Sequence, residues 1–241
     1  MAADPIEIRT DGIRAFECYR EGWAMLRPQF GMMLAIVFVG MLLGGAVSIL
    51  IGSMMCGIYI CLFDLQEGRQ VKVERLFQGF SYFLPGLLIT ILVMAPVIVM
   101  IALVYVPLLA ATLAGGRMSS EELTAFLIGT FVVEAIFVIV MVCFHTLLLF
   151  AYPLIVDKKL SAFQAVKWSA IGVWRNLSGV ASLFGVGFLL SLAGMLLFCI
   201  GIYLTMPIML AATTVAYRKV FPGQFEKGTG SPPPPQYYQG A

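Results

Sequence analysis

Residues 28–63 read PQFGMMLAIVFVGMLLGGAVSILIGSMMCGIYICLF, thirty-six positions without a charged side chain. As one helix rising 1.5 Å per residue, this run would reach about 54 Å. The hydrocarbon core of a bilayer is about 30 Å thick, so one crossing leaves much to spare and two leave slightly too little. A tight hairpin is the preferred reading, with Gly44-Gly45 or Gly52 supplying the turn. The alternative is one long tilted crossing, which strands the four preceding arginines (Arg9, Arg14, Arg20 and Arg27) away from the other basic groups.

The rest of the chain has the same texture. Of 241 residues, 61% are hydrophobic and 12% charged, with a mean hydropathy of +0.96. A soluble domain carries about 25% charged residues and has too little interior to hide so much Leu, Val, Ile, Phe and Met, whereas lipid can solvate them. This excludes an ordinary soluble enzyme, a disordered regulator and a disulfide-stapled secreted domain. A net charge of +2 is too small to imply nucleic acid as a partner. The five cysteines (Cys18, Cys56, Cys61, Cys143, Cys199) form no CxxC pair, and with a single histidine a Cys/His metal site is not expected. No cofactor is implied. The polar start, Met1 to Thr10, lacks the apolar core of a cleaved signal peptide.

Basic residues fall in groups that set the topology. Arg9 to Arg27 precede the first apolar run, and Arg69, Lys72 and Arg75 follow it. Lys158, Lys159, Lys167 and Arg175 form the next group, and Arg218, Lys219 and Lys227 the last. Arg117 stands alone near Glu121 and Glu122. Loops rich in Lys and Arg favour the cytoplasm, so the four rich groups should share that side. The economical solution is an all-α polytopic membrane bundle of about six helices in three hairpins, near 29–46, 48–64, 82–107, 124–152, 178–197 and 200–217. The third segment, free of charge from Leu76 to Gly116 and containing Pro85, Pro96 and Pro107, is expected to be a kinked helix that ends near Pro107; the alternative is a second short hairpin there, which would break the parity. Three regions follow: an N-terminal cytoplasmic amphipathic helix in 1–28, a membrane domain over 29–221, and a Pro/Tyr-rich cytoplasmic tail over 222–241, expected to be disordered. A partner protein is conceivable at Pro232 to Tyr238.

Each hairpin is led by a short amphipathic stretch. Ile13, Phe16, Trp23 and Leu26 share one helical face; Val73, Leu76, Phe77 and Phe80 mark a second stretch; Phe163, Val166, Ala170 and Trp174 mark a third. Such helices lie in the headgroup plane, apolar side down, and all three tryptophans (Trp23, Trp168, Trp174) fall in them. The joints Arg27-Pro28-Gln29-Phe30-Gly31, Tyr82-Phe83-Leu84-Pro85-Gly86 and Trp174-Arg175-Asn176-Leu177-Ser178-Gly179 suggest a degenerate threefold repeat. Arg14, Arg20, Arg27, Lys72, Arg75, Lys167 and Arg175, with the tryptophans, are the candidate contacts to anionic lipid headgroups.

The stretches EGWAMLRPQFGMMLAI (21–36), VERLFQGFSYFLPGLL (73–88), LIVDKKLSAFQAVKWSAIGVWRNLSG (154–179) and GIYLTMPIMLAATTVAYRKVF (201–221) resemble a broad class of uncharacterised bacterial membrane proteins. That class is similar to the membrane domain preceding the catalytic domain of some glycerophosphodiester phosphodiesterases. The resemblance spans roughly residues 13–221 and rests on loose motifs: the joints, an Asp-led loop, a late proline and a terminal Tyr-Arg. It implies six helices in the bacterial cytoplasmic (inner) membrane and no agreed activity. The catalytic barrel's histidine pair and metal carboxylates have no counterpart, since His145 is the only histidine.

Two ionisable residues interrupt an apolar run, Glu134 and His145. At 100° per residue they share one helical face, about 16 Å apart. Charges at bilayer depth are costly and commonly mark proton or ion paths, so a small transporter or channel is one expectation. The structural alternative is a hydrogen-bonded or snorkelling Glu134 and a His145 paired with a backbone carbonyl. Asp64 and Asp157, at helix ends, read as interfacial and structural. Gly40-Met41-Leu42-Leu43-Gly44 has a spacing that admits close helix contact. No HExxH, P-loop or Ser/His/Asp order is present. The expected function is therefore a non-enzymatic membrane protein that works through packing and contacts with lipid or protein, with transport through Glu134 and His145 as the alternative.

Overall fold

The computed structural model describes residues 6–10, 12–113, 119–196 and 200–222. Within them the chain forms nine α-helices: α1 (Ala15–Leu26), α2 (Phe30–Ala46), α3 (Ile51–Gln66), α4 (Phe83–Leu113), α5 (Ser120–Leu147), α6 (Ala151–Lys158), α7 (Ala162–Arg175), α8 (Leu177–Met195) and α9 (Ile200–Val220). Short 3-10 turns join α1 to α2 and α2 to α3, and a longer 3-10 segment, Val73–Tyr82, leads into α4. No strand occurs among the described residues. Among the described residues five helical segments are long and apolar enough to cross a membrane: 15–46, 48–66, 73–106, 120–158 and 177–195; α9, at the sixth crossing expected near 200–217, is not one of them. This is an all-helical membrane protein.

The first apolar run does reverse, and glycine is not what turns it. Val47 adopts extended backbone and a 3-10 turn over Ser48–Leu50 carries the chain into α3. Gly44 instead lies against Ile51, and Gly40 against Ile58 and Leu76, so α2 and α3 pack antiparallel through the GxxxG face. Gly52 meets Gly86 backbone to backbone, which draws α4 against α3. These glycines serve close approach, where a side chain would hold two helices apart.

Two expected helix boundaries shift. α4 runs unbroken past Pro85, Pro96 and Pro107 to Leu113. Pro85 lies in the first turn, where proline is tolerated, and Pro96 and Pro107 each forfeit one helical hydrogen bond, but ending the helix in lipid would expose several more backbone groups. The helix expected at 124–152 is instead split. α5 begins at a capping box, Ser119 with Glu122, ends at Leu147, and resumes as α6 after a turn at 148–150. Pro153 is the local cause: its ring would strike the carbonyl four residues back and it donates no bond there. Ser169 of α7 repairs the break, its hydroxyl donating to the Leu147 carbonyl at 2.7 Å and accepting from the Phe150 N–H at 3.0 Å. The tail from residue 223 onward, Arg117 and Cys199 lie outside the described residues.

The three leading segments dock in a ring. Segment 73–82 packs chiefly on α3, α7 on α5 and α6, and α1 on α9. Each therefore leans on the outgoing helix of the preceding hairpin, and the first leans on the last. Gly22, Gly79 and Gly172 stand six residues before Pro28, Pro85 and Ser178, respectively. Gly22 lies against Ala211 and Ala212, Gly79 against Ser53 and Gly57, and Gly172 against Val220 and Phe221. In the first two segments the glycine faces the helix on which the segment leans, whereas Gly172 faces the end of α9.

The apolar faces expected to lie on lipid are divided: part of each packs on the bundle and the aromatics stay outward. α1 turns Ala15, Cys18, Gly22 and Leu26 inward, while Phe16 is 80% exposed and Trp23 42%. In 73–82 only Leu76 and Gly79 are buried, and Phe77 and Phe80 face outward with their rings stacked. α7 buries Ala162, Ala165, Ser169, Gly172 and Val173 and exposes Phe163 and Trp174. Small residues face protein and large aromatics face out in all three. In lipid no hydrophobic force sends large apolar side chains inward, and helix contact is won by close packing of small ones. Nor do the segments lie apart from the bundle. Gly12 sits beside Lys219 while Gly22 reaches Ala212, so α1 runs antiparallel to the end of α9.

Candidate functional site

The outgoing helices converge at one end of the bundle, where the described parts of both termini meet. The Arg9 N–H donates to the Val220 carbonyl at 2.9 Å, and Asn176 Nδ2 donates to the Arg9 carbonyl at 3.0 Å. Phe63 of α3, Phe150 of the α5–α6 turn, Tyr217 of α9 and Phe221 just beyond it form an aromatic knot with centroid separations of 5.4 to 6.1 Å. Aromatic contacts of this kind contribute about 0.5–1.5 kcal/mol each beyond area burial.

Above the knot, two carboxylates organise the charges. Asp64, 3% exposed, takes a bidentate pair from Arg75, Nε at 2.6 Å and Nη2 at 2.9 Å, and a further contact from Arg69 at 2.6 Å. Asp157 accepts from Tyr217 Oη at 2.7 Å and from Arg218 Nη1 at 2.7 Å, with Lys158 at 3.4 Å. The Arg218 guanidinium lies 4.5 Å from the Phe63 ring centroid. Arg218 thereby joins α9 to α6 and α3 at once. Bidentate Arg–carboxylate geometry adds specificity as well as energy. A polar cavity of about 350 Å³ opens between Asp64, Arg69, Arg75, Tyr82, Asp157 and Arg218.

Sequence reasoning placed Asp64 and Asp157 at helix ends without assigning them partners. A signal was available: the outgoing helices end in Phe63-Asp64, Val156-Asp157 and Tyr217-Arg218, so two repeat positions present an acid and the third its complement.

The expected lipid-contact residues divide into two sets. Arg75 is spent on Asp64 and Gln78, and Arg14 bonds Glu17 at 3.1 Å. Trp168 is half-buried. Arg20, Arg27, Lys72, Lys167 and Arg175 are exposed, as is Lys159, and none forms an ion pair among the described residues. Trp23, edge-on to Phe30 at 5.5 Å, and Trp174 are exposed beside them. Most acids at this end are engaged: Glu17 and Glu21 by Lys219, Glu67 by Arg69, and Asp64 and Asp157 as above, whereas Glu74 is exposed and forms no ion pair among the described residues.

Glu134 and His145 are both half-buried on α5. Eleven residues separate them, about 16 Å along the axis. The His145 ring is edge-on to neighbouring Phe144, and no hydrogen bond or ion pair among the described residues ties either side chain to another helix. The structure does not bring them together. No cluster of three or more His, Cys, Asp or Glu suited to a metal occurs among the described residues.

No protein-family model, no curated protein and no solved structure matches this chain.

Proposed function

We propose that this chain is a non-enzymatic multi-pass protein of the bacterial cytoplasmic membrane that acts by holding anionic lipid at its basic, cytoplasm-facing end. One observation carries the reading: Arg20, Arg27, Lys72, Lys159, Lys167 and Arg175 are exposed without ion pairs among the described residues, while Glu17, Glu21, Asp64, Glu67 and Asp157 are bound in them, which leaves these cations in excess over the exposed Glu74. A basic side chain near an anionic leaflet gains about 1 kcal/mol. The exposed Trp23 and Trp174 suit the interfacial level at which amphipathic rings settle, and the positive-inside tendency assigns this end to the cytoplasm.

The reading is tested by exchanging Arg20, Arg27, Lys72, Lys159 and Lys167 together for Gln and weighing the co-purifying lipid by native mass spectrometry. The parent is expected to retain anionic over zwitterionic lipid and the exchanged protein to lose that preference. Equal retention of both lipid types by the parent refutes it. Orientation is checked separately on a background lacking reactive cysteine, with Ser119→Cys and Lys159→Cys labelled from opposite sides of the membrane.

A further inference from the structure

A second cavity lies away from the charged end. It encloses about 670 Å³ between α5 and α8, walled by Val142, Cys143, Thr146, Leu147, Phe184 and Phe188, with Gly185 in its floor and Trp174 at its edge. Pockets of about 300–1,000 Å³ accommodate ligands of drug-like size, and this one is almost wholly apolar. Thr146, its chief polar lining group, has its hydroxyl turned to the Val142 carbonyl at 2.7 Å, which leaves a hydrocarbon surface.

α5 packs on α7 near this level and stands off α8, so the gap belongs to the fold. Gly185 reinforces the point. On the same helix Gly179, Gly187 and Gly194 are each pressed by a neighbour, from Ile13, Tyr19 and Gly201, whereas a Cβ at Gly185 would meet nothing within 4 Å. Gly185 widens the groove and serves no helix contact. At the mouth, α7 ends in Trp174 and Arg175, both exposed, and Arg175 makes no ion pair among the described residues. An apolar groove thus has, one residue along the chain from the indole that lines it, an exposed guanidinium without an ion pair among the described residues, and indoles of this kind mark the membrane interface. An acyl chain fills the first and a lipid phosphate complements the second.

We infer that the α5–α8 groove binds one acyl chain of an anionic phospholipid whose phosphate rests on Arg175. The inference rests on the proposed function for the membrane side and gives that reading a particular site. Arginine is the side chain best shaped for phosphate, because its planar fork can present two donors.

The test uses full-length protein carrying Trp23→Phe and Trp168→Phe, so that Trp174 alone fluoresces. It is reconstituted with phosphatidylglycerol or phosphatidylcholine brominated along the acyl chains, and quenching is read against the fraction of brominated lipid. The association constant at Trp174 is expected to be about fivefold higher for the anionic lipid. Arg175→Gln should equalise the two lipids. Gly185→Leu, which fills open space, should lower quenching by both, and Ala181→Leu gives a second way to fill the groove should that variant misfold. Identical curves for both lipids in the parent overturn the inference. So does weak quenching by either lipid together with a concentration-dependent dimer, which would put a second copy in the groove. If Trp174 prefers the anionic lipid in a parent that retains both lipid types equally overall, the site stands and the general reading fails. If overall retention stays anionic while Trp174 discriminates nothing, the groove alone fails.

Discussion

Asp64 shows at the scale of one residue how this protein tolerates charge. Its buried carboxylate is matched by two guanidinium groups, so its desolvation is offset by directed hydrogen bonds. Removing the charge while keeping the shape would leave Arg75 without its bidentate acceptor. Asp64→Asn is expected to cost about 2–4 kcal/mol, as breaking one side of a buried charged pair does, measured by SDS-titration unfolding in mixed micelles. Glu134 and His145 make the contrast, since neither is joined by a described hydrogen bond to a second helix. Glu134→Gln and His145→Ala are expected to change stability by no more than about 0.5 kcal/mol and to leave proton and solute flux in proteoliposomes unaltered. A clear loss of flux in either variant would restore the transport alternative.

At the scale of elements, the α5–α6 break depends on a side chain from a third helix. Ser169→Ala would leave the Phe150 N–H and the Leu147 carbonyl without their partner in an apolar setting. The expected cost is about 1–3 kcal/mol, seen in unfolding and as faster amide exchange confined to 147–151. The leading segments rely on glycine in a comparable way. A Cβ at Gly79 would fall 2.9 Å from the Gly57 Cα with backbone on both sides, so neither partner can yield by rotating a side chain. Gly79→Ala is expected to destabilise by about 1–3 kcal/mol through overpacking. Gly45→Ala, at a helical position with open space around it, should be neutral or stabilising by up to about 1 kcal/mol, and the pair measured together separates packing from helix propensity. The aromatic faces show what sequence periodicity left open in these segments, namely which residues touch the bundle. A helical wheel reports where large apolar groups lie, and in water that face goes inward. Here lipid accepts Phe16, Phe163 and Trp174, while Ala, Ser, Cys and Gly make the contact.

For the whole molecule, the ring of three units closes where the first segment meets the last helix. A Cβ built at Gly12 lies 3.4 Å from that of Lys219, near the separation a disulfide requires. Gly12→Cys with Lys219→Cys is expected to cross-link under mild oxidation in native membrane, giving a faster-migrating intramolecular product by electrophoresis. Persistent failure with both thiols accessible to labelling would mean that α1 does not dock on α9. The same closure gathers the basic groups at one end. The grouping of Arg and Lys anticipated this arrangement, because an even number of turns between basic clusters returns each to its starting side. Which acids they meet there was beyond reach, since Asp157 and Arg218 are sixty-one positions apart and find each other only when α6 and α9 pack.

The sequence by itself determined that the chain is helical, that lipid is its solvent, where most helices begin, and that one end carries the positive charge. Those features follow from local composition and from the cost of unpaired backbone in hydrocarbon. Tertiary structure alone decided which faces touch, where α5 breaks, which cations are neutralised and that a groove remains between α5 and α8. Such outcomes depend on how closely two surfaces can approach, and that is a property of pairs of helices distant in the chain.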